Sequence, residues 1–123
     1  MTATTIARSY RWSDLEQDHP MAQVDRRRIM GEKAMISEVR LHAGCRVPTH
    51  AHENEQFACV MSGTVRFGIG AEGSAERRDV TLSGGEVLHL PSGTPHSAHA
   101  VVESLVLDIF APPSATTGVD AHG

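Results

Sequence analysis

The stretch THAHENEQ, residues 49–56, sets two histidines one residue apart, His50 and His52, ahead of a polar turn and Gln56. Successive side chains of a strand alternate between faces, so His50 and His52 point to the same side. Two imidazoles on one face can share a cation at about 2.0–2.1 Å each. Gln56 has the same parity, but four residues of extended chain would carry it about 13 Å away. It joins the same cation only if the chain reverses within Glu53-Asn54-Glu55, where Asn tolerates unusual dihedrals. The pair alone is a weak signal in a chain with eight histidines. Two exposed histidines at a strand end would look the same.

Outward from this stretch, Gly, Pro and Asn break the chain into short apolar runs. Strands are predicted at 26–30, 34–42, 45–51, 56–62, 64–69, 77–82, 86–90, 95–101 and 103–110. Turns fall at Ala43-Gly44, Ser62-Gly63, Gly70 to Ser74, Ser83-Gly84-Gly85 and Pro91-Ser92-Gly93. The one helical signal is a capped turn at 13–18, SDLEQD. This pattern predicts an all-β chain, an antiparallel sandwich or barrel. The expected organisation is an N-terminal segment at 1–30, a barrel at 31–112 and a flexible tail at 113–123.

A length of 123 residues suits one domain with a core of its own. A formal charge of −4 and only 4% aromatic residues argue against a nucleic-acid partner. Arg26-Arg27-Arg28, next to Asp25, is read as a solvated strand or loop. No apolar run approaches membrane-spanning length, and the first residues lack a signal-peptide core. Two cysteines, Cys45 and Cys59, form no framework and fit a reducing cytoplasm.

Gly44 lies six residues before His50, and Gly63 seven after Gln56. Residues 85–96 read GEVLHLPSGTPH. The first block fits G-x5-H-x-H-x3-E-x6-G with Gln56 in place of Glu. The second fits G-x5-P-x-G-x2-H-x3-N with Ala100 in place of Asn. Together they resemble the two motifs of the cupin superfamily, over residues 44–100. The resemblance implies a single-domain jelly-roll β-barrel (a double-stranded β-helix) holding one divalent metal, with His50, His52, Gln56 and His96 as ligands. It also implies a homodimer, with residues 1–30, Trp12 among them, either crossing to the partner or capping the barrel base.

Gln56 in place of a carboxylate leaves three neutral imidazoles and an amide, so a divalent site keeps about +2. That favours Lewis-acid polarisation over dioxygen activation, which usually employs a carboxylate ligand. The donor set suits Zn, Ni, Fe, Mn or Cu. On the last strand, Val106, Asp108 and Phe110 share one face. If that face lines the barrel, Asp108 is a buried carboxylate able to move protons. This ending resembles that of the pectin-degradation cupins similar to KdgF, which act on unsaturated uronates. That resemblance implies substrate contact at Phe110. It also implies an Arg at the position of Ser114, and Arg40 or Arg66 would have to grip a carboxylate instead. The expected activity is isomerisation, tautomerisation or lyase chemistry on a small sugar-like or oxo-acid substrate. A metal-dependent dioxygenase and a non-catalytic binding module are the alternatives. His89, His42 and His99 are read as structural or exposed, Met35 and Met61 as core, and Glu53 and Glu55 as turn and rim residues.

Overall fold

Along Met35–Leu41 every second residue is buried, and the same alternation runs through Glu55–Val60 and Ser104–Val106. Strands with one apolar face must pair that face with another sheet. A computed structural model, describing residues 6–116, shows how they do so. Among the described residues nine strands follow one another: β1 (Val24–Met30), β2 (Met35–Leu41), β3 (Arg46–His50), β4 (Glu55–Ser62), β5 (Thr64–Ile69), β6 (Arg78–Ser83), β7 (Glu86–Leu90), β8 (His96–Ala100) and β9 (Ser104–Ala111). They form two antiparallel sheets, ordered β1-β2-β9-β4-β7 and β3-β8-β5-β6. Val39, Leu41, Ala58, Val60 and Val106 of the first sheet meet Val47, Val65, Phe67, Leu82 and Ala100 of the second in one core. This is the expected jelly roll, with a strand near each predicted position.

Several local readings change. Val24–Met30 pairs with β2 along its whole length, so the sheet begins at Val24 and not at residue 31. The helical turn is a single 3-10 turn at Trp12–Asp14. Arg26 is not solvated: it is 4% exposed and bound by Asp18 through two contacts of 3.0 and 2.8 Å. Its guanidinium holds the Asp18 carboxyl below its usual pKa. A buried arginine needs such a partner, and Asp18 arrives from outside the local run. Met35 is buried, but Met61 is half exposed, because it follows Val60 onto the outer face near the strand end. The tail docks as far as it is described. Arg28 donates to the Ala115 carbonyl, and Ser114 N–H meets the Met35 sulfur. Residues 117–123 of the predicted tail lie outside the described residues.

Gly63 joins β4 to β5 with φ at +86°, and a Cβ there would sit 2.3 Å from Ser104 Oγ and 2.5 Å from the Glu103 carbonyl. Gly85 has φ at +95° but open space around it. Both positions strain an L side chain, and Gly63 adds a backbone clash. Gly85→Ala should therefore cost about 1 kcal/mol and Gly63→Ala clearly more, about 2–4 kcal/mol, in urea unfolding. Equal costs would contradict the packing described at Ser104.

Candidate metal centre

β3 ends at His50 in one sheet and β4 begins at Glu55 in the other. The turn between them does more than reverse the chain, since it crosses between sheets. His52 lies on this crossing, and Gln56 faces the core from β4. His96 opens β8 directly opposite His50. Four side chains from three segments thus meet at one end of the barrel. The candidate ligand nitrogens of His50, His52 and His96 all lie within 4.8 Å of one another.

The histidine tautomers follow from their outer contacts. Nδ1 of His50 faces the Pro48 carbonyl at 2.9 Å, Nδ1 of His52 the Asn54 carbonyl at 3.1 Å, and Nδ1 of His96 the Thr94 carbonyl at 2.8 Å. A carbonyl only accepts, so each Nδ1 carries the proton and each neutral ring keeps its Nε2 lone pair. Burial holds the His96 pKa down to about 4. The Thr94 contact opposes that shift, and the two neighbouring histidines add to it. The His96 ring is therefore unprotonated at neutral pH and ready for a cation.

Gln56 is 5% exposed. Its Nε2 donates to Asp108 Oδ1 at 2.9 Å, while its Oε1 is buried with no protein partner. Nε2 of His52 is in the same position. Leaving such atoms unsatisfied costs about 1–3 kcal/mol each. A divalent cation held by three imidazole nitrogens and one amide oxygen removes that cost, so the residues present fit a metal.

Asp108 shares its face with Val106 and Phe110, as the strand parity predicts, and lines the pocket. Burial raises its pKa to about 6, against the Gln56 hydrogen bond, which lowers it. Phe110 sets its ring against His52, 5.6 Å between centroids and near-perpendicular. Val39, Leu41, Val47, Phe67, Ala98 and Val106 supply apolar walls to the pocket. Apart from Val106, sequence reasoning missed these walls, although the alternation in β2 and β5 carried the signal.

Arg40 and Arg66 do not reach this pocket. Both alternate with buried residues, Val39 and Leu41 for one, Val65 and Phe67 for the other, so strand parity turns them outward. Arg40 instead pairs with Glu103 at 3.1 Å. Ser114 offers no charge either. Glu55 stays outside the ligand set, pairing with His89, which stacks on Phe57. His42 bridges Asp25 and Glu103.

A barrel of two facing sheets with a three-histidine cluster at its mouth defines a class. The cupin domain family model matches residues 37–110, and the chain belongs to that family. Among solved structures, KdgF from Halomonas sp. superposes with a TM-score of 0.78 at 23% identity, covering 89% of this chain and 97% of that one. An RmlC-like cupin from Shewanella frigidimarina gives 0.79 at 16% identity, covering 89% and 95%. A variant of Bacillus subtilis oxalate decarboxylase gives 0.78 at 20% identity, covering 93% of this chain but only 32% of its own. No curated protein matches the chain.

Asp108 generates a pH prediction for the metal-free protein. An unfolded Asp titrates near 3.9, so native Asp108 holds its proton about two units longer. The stability this contributes is complete below about pH 4 and is lost as pH rises through about 6. Asp108→Asn keeps an acceptor for Gln56 and removes the penalty. It should raise unfolding free energy relative to wild type by about 1–3 kcal/mol at pH 7.5 and leave it unchanged near pH 4, measured by urea unfolding in chelator. The upper value is a ceiling, because Asp108 retains some access through the pocket.

Proposed function

We propose that this chain is a metal-dependent enzyme that moves a proton on a small sugar-like or oxo-acid substrate, by isomerisation, tautomerisation or a lyase step. The observation that carries this reading is the divided use of Gln56, whose Nε2 holds Asp108 while its Oε1 is left to a cation. A divalent metal held by His50, His52, Gln56 and His96 would supply Lewis-acid polarisation of a substrate carbonyl or hydroxyl. Zn, Ni, Fe, Mn and Cu fit the donors. Mn(II) centres are named for the oxalate decarboxylase of Bacillus subtilis.

Asp108 is the proposed general base. Its carboxylate takes a proton from the carbon beside the polarised group and returns it to a neighbouring atom. Burial, which raises its pKa in the metal-free chain, strengthens it as a base, and a bound cation would oppose that shift. Gln56 aims the carboxylate. Phe110 and the apolar walls hold the carbon skeleton and keep bulk water out.

Charge narrows the substrate. Among the described residues no Lys or Arg lines the pocket. Three neutral imidazoles and an amide leave a divalent site near +2, and ionised Asp108 reduces it to about +1. That balance suits a neutral sugar or a short monoanionic oxo acid better than a substrate that needs an arginine clamp. Uronate chemistry, the activity of the KdgF-like cupins, therefore has weaker support here than the metal site does.

Two further proposals concern context. Phe57, Val87 and Ile109 lie exposed on the outer face of β4, β7 and β9, a surface that a second copy of the chain would cover in the proposed homodimer. Cys45 and Cys59 are free thiols, which supports a reducing, cytoplasmic setting. No helix among the described residues is long and apolar enough to cross a membrane.

The test compares turnover of short 2-oxo acids, keto sugars and unsaturated uronates by metal-loaded protein in air and under argon. Activity should be independent of oxygen, and Asp108→Asn should lose about 10²- to 10⁴-fold in kcat with metal content unchanged. Turnover that requires oxygen would select the dioxygenase reading. Unchanged kcat in Asp108→Asn would remove the proposed base.

Phe57→Glu gives a separate check on assembly. Wild type should elute at twice the chain mass in light-scattering chromatography, and the variant should shift toward monomer. A monomeric wild type would remove the dimer.

A further inference from the structure

β3 carries His50 and is an edge strand, joined to its sheet only through β8. That junction is irregular where it matters. Arg46 pairs with His99 and Val47 with Ala98, but the register then slips, so that His50 lies opposite His96. Pro48 sits inside the slip and has no N–H to donate. Backbone hydrogen bonds alone therefore hold the His50 end of β3 weakly.

A side chain from outside the pocket closes this gap. Arg77, just ahead of β6, extends over the outer face of the second sheet. Its Nη1 donates to Thr49 Oγ1 at 3.0 Å and to the Gly70 carbonyl at 2.8 Å, and its Nη2 donates to Ser97 Oγ at 2.9 Å. Glu72 completes the clasp: it accepts from Thr49 Oγ1 at 2.7 Å and lies 3.2 Å from Arg77 Nη2. Thr49 precedes His50, and Ser97 follows His96. β5, which lies between β6 and β8, is cleared for the guanidinium at Gly68. A Cβ on Gly68 would lie 2.2 Å from Arg77 Nη2.

We propose that Arg77 is a positioning residue for the metal centre, tying β3 to β8 on the outer face so that His50 and His96 keep their spacing on the inner one. The proposal rests on the metal-centre reading. Lysine could not replace it fully, since a single ammonium does not span two hydroxyls and a carbonyl as a planar fork does.

Co²⁺ titration followed by visible absorption tests this, with circular dichroism and thermal unfolding of each metal-free variant. Arg77→Ala and Gly68→Ala should each fold and bind Co²⁺ about tenfold or more weakly, with altered ligand-field bands. Because both break one clasp, the double variant should bind no more weakly than Arg77→Ala alone. Val24→Ala, in the opposite sheet, should lower the unfolding temperature yet keep wild-type Co²⁺ affinity and spectrum. If Arg77→Ala does not fold, Gly68→Ala decides, since the three atoms nearest its added methyl belong to the Arg77 and Ser97 side chains. Affinity within about twofold of wild type and an unchanged spectrum in the clasp variants would overturn the proposal. A wild type that takes up no Co²⁺ would overturn the metal-centre reading, and the proposal with it.

Discussion

Three backbone carbonyls, those of Pro48, Asn54 and Thr94, fix the protons of three imidazoles on the outer nitrogens. Everything chemical about the pocket depends on that constraint. With the Nδ1 protons held, the inner nitrogens are lone-pair donors that face one another at close range in a buried place. Without a shared cation such an arrangement carries only the cost of desolvation, visible in the low pKa of His96. The fold accepts this cost at one end of the barrel and offsets it at the other, where Val24, Val60, Val65 and Ala100 are almost wholly buried.

The same logic links Gln56 to Asp108. An amide has one accepting and one donating end, so a single side chain can face a cation and hold a carboxylate. A glutamate there would set two carboxylates side by side, and one would be driven to protonate. Glutamine avoids that conflict. The departure from the usual ligand pattern and the presence of Asp108 on the neighbouring strand are thus one feature, joined across β4 and β9.

The strands and the clustering of His50, His52 and His96 were legible in the sequence because both rest on short spacings. Gly and Pro mark the turns, parity sets faces, and the H-x-H pair with its flanking glycines survives without any knowledge of distant contacts. Asp108 was legible for the same reason. Arg40 and Arg66 were assigned from a need for positive charge, whereas parity alone, with Val39, Leu41, Val65 and Phe67 as neighbours, already turned them outward. Arg26 and Arg77 could not be read locally. The partner of Arg26 lies eight residues back, and Arg77 bridges strands 20 and 28 residues away, so their roles exist only once the sheets are assembled.

The central claim is that His50, His52, Gln56 and His96 form one cation site. Elemental analysis of freshly purified protein, repeated on His52→Ala, tests it most directly, because His52 lies off the strands and its loss leaves the sheets paired. The account predicts close to one equivalent of a divalent transition metal per wild-type chain and little or none in the variant. Metal-free wild type that also refuses added Zn²⁺, or equal metal content in both proteins, would contradict it.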